Sequence, residues 1–233
     1  MAKKNQTPQT PDEMEVMLNK SEAFVTKYGK QLIAAVVLLV ALVLGYVAYT
    51  NYSASSQEEA STALASCQQL FSEGKYTEAL NGDKKACKGF LHVAKEYSST
   101  DAGNLANLYA GLCYANLEKW NEAKSTLEEF SPKGDKMVSP AALKALADAY
   151  ANTNEIDKAI DTYKKAAAKA DAGAKTGINL SLSPTCLQLA AFHLEKQNKA
   201  DEALDIYKEI KTKYVGSQAA QQIDKYIERA SQK

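Results

Sequence analysis

Residues 139–163 read SPAALKALADAYANTNEIDKAIDTY, and residues 183–207 read SPTCLQLAAFHLEKQNKADEALDIY. Ser139-Pro140 returns as Ser183-Pro184, Leu143 as Leu187, Ala159 as Ala203 and Tyr163 as Tyr207, every pair offset by 44 residues. Proline fits the first turn of a helix, where its missing N–H has no partner to lose, and a serine before it offers a side-chain cap. Each stretch therefore predicts a helix opened by Ser-Pro, a short polar turn and a second helix. The turns align as Lys119-Trp120-Asn121-Glu122-Ala123, Glu155-Ile156-Asp157-Lys158-Ala159 and Lys199-Ala200-Asp201-Glu202-Ala203. In each, Asn or Asp is placed to cap the second helix, and Ala is placed where two helices cross closely. Three such turns with matching first helices predict an array of stacked helical hairpins.

The rest of the chain after Ser53 follows the same chemistry. Ala, Leu, Lys, Glu and Gln dominate it, and β-branched runs are absent, so an all-α reading extends over it. Residues 55–100 predict a distorted first hairpin. Lys75-Tyr76-Thr77-Glu78-Ala79 matches the other turns, but Gly82 and Gly89 interrupt the stretch after it, and a helix resumes near Phe90 and ends near Tyr97.

The hairpins resemble the tetratricopeptide repeat family. A small residue is followed three positions on by Tyr or Leu in the first helix: Gly111 and Tyr114, Ala147 and Tyr150, Ala191 and Leu194. In the second helix Ala123, Ala159 and Ala203 are followed four positions on by Leu127, Tyr163 and Tyr207. The match covers residues 102–217. Asp135, Asp171 and Val215 stand near the place of the proline that closes the family's repeats, and the linkers after Phe130 and Ala170 are long, which implies an irregular superhelix.

Upstream, Leu32 to Tyr49 is an uncharged apolar run of 18 residues. As a helix it spans roughly 27 Å, close to the hydrocarbon thickness of a bilayer. Tyr28 marks one edge and Tyr46, Tyr49 and Tyr52 the other, as amphipathic rings do at membrane interfaces. Lys3, Lys4, Lys20, Lys27 and Lys30 precede the run, and the next basic residue is Lys75. That asymmetry predicts a cytoplasmic leader over 1–30, a transmembrane anchor over 31–50 and an exported repeat domain over 51–233. A cleaved signal peptide is the rival reading, but its apolar core is shorter and Ser53-Ala54-Ser55 matches a cleavage site poorly. Residues 1–12 are polar and predict disorder. Met14, Met17, Leu18, Val25, Tyr28 and Leu32 are spaced as on an amphipathic helix running into the anchor, with a gap at Ser21.

Gly89 to Ala115, GFLHVAKEYSSTDAGNLANLYAGLCYA, is similar to the bacterial single-pass family that serves as an ancillary subunit of the Sec translocon, whose layout is an inside leader, one anchor and exported repeats. The resemblance implies an inner-membrane protein with a periplasmic domain. Its implied partners are the Sec translocon and a membrane-anchored periplasmic chaperone with a prolyl-isomerase-like domain. An organising scaffold of the cell envelope or of cell division shares the same fold and is the alternative.

The residues suggest binding rather than catalysis. Net charge is zero with lysines and acids interspersed, so no basic stripe is present to meet a nucleic acid. His92 and His193 lack the Cys, Ser or carboxylate spacing that a nucleophile or a metal requires, and no phosphate loop is present, so no cofactor or metal is expected. Trp120, at a turn, is expected to pack between repeats. Cys67, Cys87, Cys113 and Cys186 fit no zinc pattern and read as small buried thiols, with Cys67 and Cys87 the pair nearest in sequence if one is bridged. In a stacked array the first helices line the binding groove. The groove candidates are Leu105, Leu108 and Leu112, then Ala141, Lys144 and Asp148, then Thr185, Gln188 and Phe192, the leucines being the strongest contact expected. The leucines are to be covered by a partner or by the chain's own helix through Ala60, Leu64 and Leu70. A carboxylate clamp is excluded, since Lys144 alone is suitably placed.

Overall fold

The computed structural model describes residues 11–83 and 85–232. The described elements are helical: α1 (Pro11–Ser72), α2 (Tyr76–Asn81), α3 (Phe90–Glu96), α4 (Asp101–Asn116), α5 (Trp120–Glu128), α6 (Val138–Asn152), α7 (Ile156–Gly173), α8 (Leu182–Lys196), α9 (Ala200–Lys213), α10 (Gln218–Gln221) and α11 (Ile223–Ser231). The chain divides into two compact units, Met1–Ser55 and Ser56–Lys233.

In the first unit, α1 carries a segment long and apolar enough to cross a membrane, and its side chains over residues 33–49 are exposed. The expected disorder of residues 1–10 lies outside the described residues; Pro11 and Asp12 already belong to α1. The helix continues through the stretch from Met14, but the side chains of Met14, Met17, Leu18, Ser21, Val25 and Leu32 lie outside the described ones.

The second unit is the array of hairpins, and one turn geometry builds it. Gly74, Glu118, Asn154 and Asn198 all have positive φ, between 57° and 76°. After each, the next amide reaches back over the helix end at 2.9 Å: Lys75 to Leu70, Lys119 to Tyr114, Glu155 to Tyr150 and Lys199 to Leu194. The left-handed residue itself donates to Phe71, Ala115, Ala151 and Glu195 in turn. This is the paired closure by which a left-handed residue satisfies the orphan carbonyls of a helix end. It releases the chain at the start of the next helix, four times over, and so confirms the first hairpin as well.

That closure also corrects the expected caps. The residues before α5, α7 and α9 are Lys119, Glu155 and Lys199, and none makes a side-chain cap bond. Asn121, Asp157 and Asp201 therefore stand inside the first turn, where the acids Glu122, Asp157 and Asp201 meet the positive helix end. Ser139 and Ser183 are likewise not caps, because α6 and α8 begin one residue earlier, at Val138 and Leu182. Ser139 Oγ instead accepts the Lys133 amide at 2.9 Å and bonds Asp135, and Ser183 Oγ donates to the Ala167 carbonyl at 2.9 Å. The two serines, both fully buried, tie the loop or helix before them to the helix they open.

Small residues occupy the crossings as the repeat requires. Ala79, Ala123, Ala159 and Ala203 are fully buried, as are Cys67, Ala147 and Ala191 at the paired position of the first helices. Gly111 shares that position, and a Cβ built there would stand 2.5 Å from Leu127 Cγ. In the first hairpin the paired position holds Cys67, bonded to Cys87. The second helix there is broken: α2 ends at Asn81, Asp83 Oδ1 accepts the amides of Lys85, Ala86 and Cys87, and α3 resumes the path. The reading of all four cysteines as thiols thus holds only for buried Cys113 and Cys186, each pushed up to about 12 by burial.

Asp135 and Asp171 close the repeats in place of the missing proline. Asp135 accepts the amides of Met137 and Ser139, and Asp171 accepts the amide of Asn179 at 2.8 Å and the hydroxyl of buried Tyr214 at 2.7 Å. The array ends on α11, whose Ile223 and Ala230 join the core of α7, α8 and α9.

Candidate functional site

The groove candidates occupy three equivalent positions along α4, α6 and α8: Leu105, Ala141 and Thr185; Leu108, Lys144 and Gln188; Leu112, Asp148 and Phe192. The structure separates them into two groups with different surroundings.

The leucine set belongs largely to the interior. Leu108 is 7% exposed and packs in one cluster with Ala123 and Leu127 of α5, in its own hairpin, with Phe130 just after α5, and with Ala142 and Ala149 of α6. Leu105 and Leu112 are half-buried against the same cluster. Leu108 and Leu112 are covered by α5 and the next hairpin, and Leu105 packs both there and against the cluster of Ala60 and Leu64 that Leu70 joins. Ala60, Leu64 and Cys67 pack on the other face of α4, against Ala102, Ala106, Ala110 and Cys113. The physical reason is that α4 sits between two hairpins and needs two apolar faces. A three-seven spacing alone does not say which of them is internal.

The α6–α8 set is accessible and connected. Lys144 Nζ pairs with Asp148 at 2.8 Å, both side chains about a third exposed. Tyr163 of α7, otherwise buried, donates its hydroxyl to the other carboxylate oxygen of Asp148 at 2.5 Å. The His193 ring stacks on Tyr163 with centroids 6.0 Å apart, and Phe192 meets His193 edge-on at 5.5 Å. Lys196 Nζ lies 5.3 Å from the Phe192 ring centre. Phe192 is 40% exposed, Gln188 is half-buried, and Ala141 and Thr185 are exposed. Burial holds the His193 imidazole below its usual range against the opposing pull of Asp148, so it presents a neutral face near pH 7. Burial, with the Asp148 hydrogen bond adding to it, pushes the Tyr163 hydroxyl far up, which keeps it a donor.

This surface offers an ion pair, an amide and an aromatic ring on two adjacent first helices. Those groups suit hydrogen bonding to a peptide backbone with one apolar contact. Sequence reasoning named Lys144, Asp148, Gln188 and Phe192 as groove candidates and did not name Tyr163 or His193, which contact Asp148 and Phe192. Tyr163 reads as a packing residue in sequence, and only the hairpin fold brings its hydroxyl to a carboxylate 15 residues earlier. His92 is exposed on α3, and Trp120 is half-buried at the start of α5. Among the described residues no group of three or more His, Cys, Asp or Glu side chains stands together as a metal site.

A family model described as a tetratricopeptide repeat-like domain matches residues 22–176. No curated protein matches the chain. Among solved structures, the chain is similar to the nearly identical TPR-like repeats of a putative kinesin light chain from Podosopora anserina, at 15% identity and a TM-score of 0.55, over 73% of this chain and 84% of that one. A Q17M form of the same repeats aligns at 14% identity with a TM-score of 0.55 over the same shares. At such identity the likeness concerns the fold alone.

Proposed function

Because the chain belongs to the tetratricopeptide repeat-like domain family, whose repeats are protein-interaction scaffolds, we propose that it is a membrane-anchored, exported scaffold that binds proteins through α6 and α8. The observation that carries the reading is the joining of an apolar, lysine-preceded helix to a repeat unit held by a disulfide. Lysines on one side of the apolar run favour a cytoplasmic leader, and the Cys67–Cys87 bond suits an oxidising compartment on the far side. The resemblance of Gly89–Ala115 supports the Sec translocon and a membrane-anchored periplasmic chaperone as partners, the scaffold acting on secreted proteins as they emerge.

Crosslinking in intact membranes, followed by identification of the attached proteins, tests the partners. Translocon subunits support the reading, and envelope or division proteins in their place replace it with the organiser. Protease added to spheroplasts tests the topology. Digestion of the repeat unit with survival of the leader is expected, and a protected repeat unit overturns it.

A further inference from the structure

Asn81 and Gly82 form the chain's one Asn-Gly pair. Such a pair is reactive by its chemistry. Glycine has no side chain to shield its nitrogen, and its free backbone can turn that nitrogen onto the amide before it. In the fold the pair stands where α2 ends and the second helix of the first hairpin breaks. The Asn81 side chain is exposed there.

The local bonds commit both reacting groups elsewhere. Asn81 Nδ2 donates to the Thr77 carbonyl at 3.1 Å, which draws the side chain back over the preceding turn. The Gly82 amide donates to the Glu78 carbonyl at 2.8 Å. Attack of one on the other therefore requires the last turn of α2 to unwind. A chain of contacts that ends at the disulfide opposes this. Gly82 and Gly89 have φ of 98° and 94°, and their backbones meet. A Cβ built on Gly89 would stand 2.5 Å from the Asn81 carbonyl carbon and 2.6 Å from the Gly82 nitrogen. The Asp83 amide donates to the Cys87 carbonyl at 2.9 Å. Cys87 is bonded to Cys67, and the Gly89 amide lies 3.3 and 3.2 Å from the sulfurs of Cys67 and Cys87. Cys67 is fully buried, so the bond ties the glycine contact to the core of the hairpin.

We propose that Asn81–Gly82 is a deamidation site that the Cys67–Cys87 disulfide keeps closed. In a chain without the bridge, the Gly82 nitrogen bonds to Asn81 Cγ. The Cγ–Nδ2 bond breaks, and Nδ2 leaves as ammonia with the Gly82 amide proton. Water then opens the succinimide ring at either carbonyl, giving aspartate or isoaspartate. Isoaspartate carries the main chain through the former side chain and so adds a backbone atom. The Gly82–Gly89 crossing has no room for one, and the new carboxylate stands beside Asp83. Copies that lack the bridge are thus marked irreversibly in the first hairpin, and bridged copies are spared.

Full-length protein in detergent is incubated in mildly alkaline buffer as three samples: oxidised, reduced with a phosphine, and oxidised but unfolded in urea. Mass spectrometry of the peptide holding residue 81 reads the conversion of amide to acid, and enzymatic carboxyl methylation reads isoaspartate. Conversion in the oxidised fold should be about tenfold or more slower than in urea, because local opening must come first. Reduction should bring it close to the urea rate. Oxidised folded protein that converts as fast as in urea overturns the protection. Reduced protein that stays as slow as oxidised overturns the disulfide as the gate. Hydrogen exchange on the same samples separates local opening from general unfolding. Reduction should free the amides of residues 78–89 and leave those of α8 and α9 protected, and loss of protection throughout overturns a local gate. A conversion that persists in Asn81→Gln overturns the assignment to this bond.

Discussion

Arg229 of α11 closes on Glu195 of α8, with Nε and Nη2 at 3.0 and 2.7 Å from its two carboxylate oxygens. Glu195 is 4% exposed and also accepts the Tyr207 hydroxyl at 2.7 Å. A carboxylate so buried is tolerable only with such donors, and the pair locks the last helix onto the last hairpin.

Arg229→Ala should therefore loosen that end of the array. The loss of charge-assisted bonds to a buried carboxylate is expected to cost roughly 1.5–3 kcal/mol. Urea denaturation of the variant checks this. A midpoint equal to the parent's would mean that α11 does not stabilise the array.

Ala159 and Ala203 are fully buried at the hairpin crossings. Replacing either with Leu should overpack the contact by roughly 1–3 kcal/mol. Leu108→Glu should lower the melting temperature for the complementary reason, since it places a charge between α4 and α6. Phe192→Glu, on the exposed face, should leave the melting temperature near the parent's while weakening partner capture. The opposite pattern would exchange the roles of α4 and α8.

Oxidised protein, unfolded and alkylated, should show two reactive thiols, from Cys113 and Cys186, since Cys67 and Cys87 are bridged. Closing a loop of this size stabilises by roughly 3 kcal/mol in the chain-entropy description, so reduction should lower the melting temperature. Four thiols in protein taken from its native compartment would argue against an exported domain.

His193 carries the pH dependence near neutrality. Its folded value lies below the unfolded one because burial disfavours the imidazolium. The unfolded chain thus takes up the proton first, and stability falls as pH drops below about 6.5 toward the folded value. Melting temperatures between pH 7.5 and 5 should show this decline in the parent and a flatter profile in His193→Gln. Parallel profiles would show that the stacked ring titrates normally.

The sequence by itself determined the hairpin array. Small residues recur at Gly111, Ala147 and Ala191, with Ala123, Ala159 and Ala203 as their partners, because only small side chains let helices approach there, and that constraint is local and periodic. It also fixed the one apolar segment fit to span a bilayer, since length and lack of charge are properties of the chain alone. The tertiary structure decided which face of α4 became interior, because Leu108 lies on a stripe that reads equally as groove or core until α6 packs on it. It decided the helix starts as well. Left-handed Glu118, Asn154 and Asn198 close the preceding helix, and that closure, rather than Asn121, Asp157 or Asp201, sets where the next one begins. Tyr163 on Asp148, Tyr207 on Glu195 and Tyr214 on Asp171 came from the fold alone, because each joins groups distant in sequence and a hydroxyl's partner is set by the packing around it.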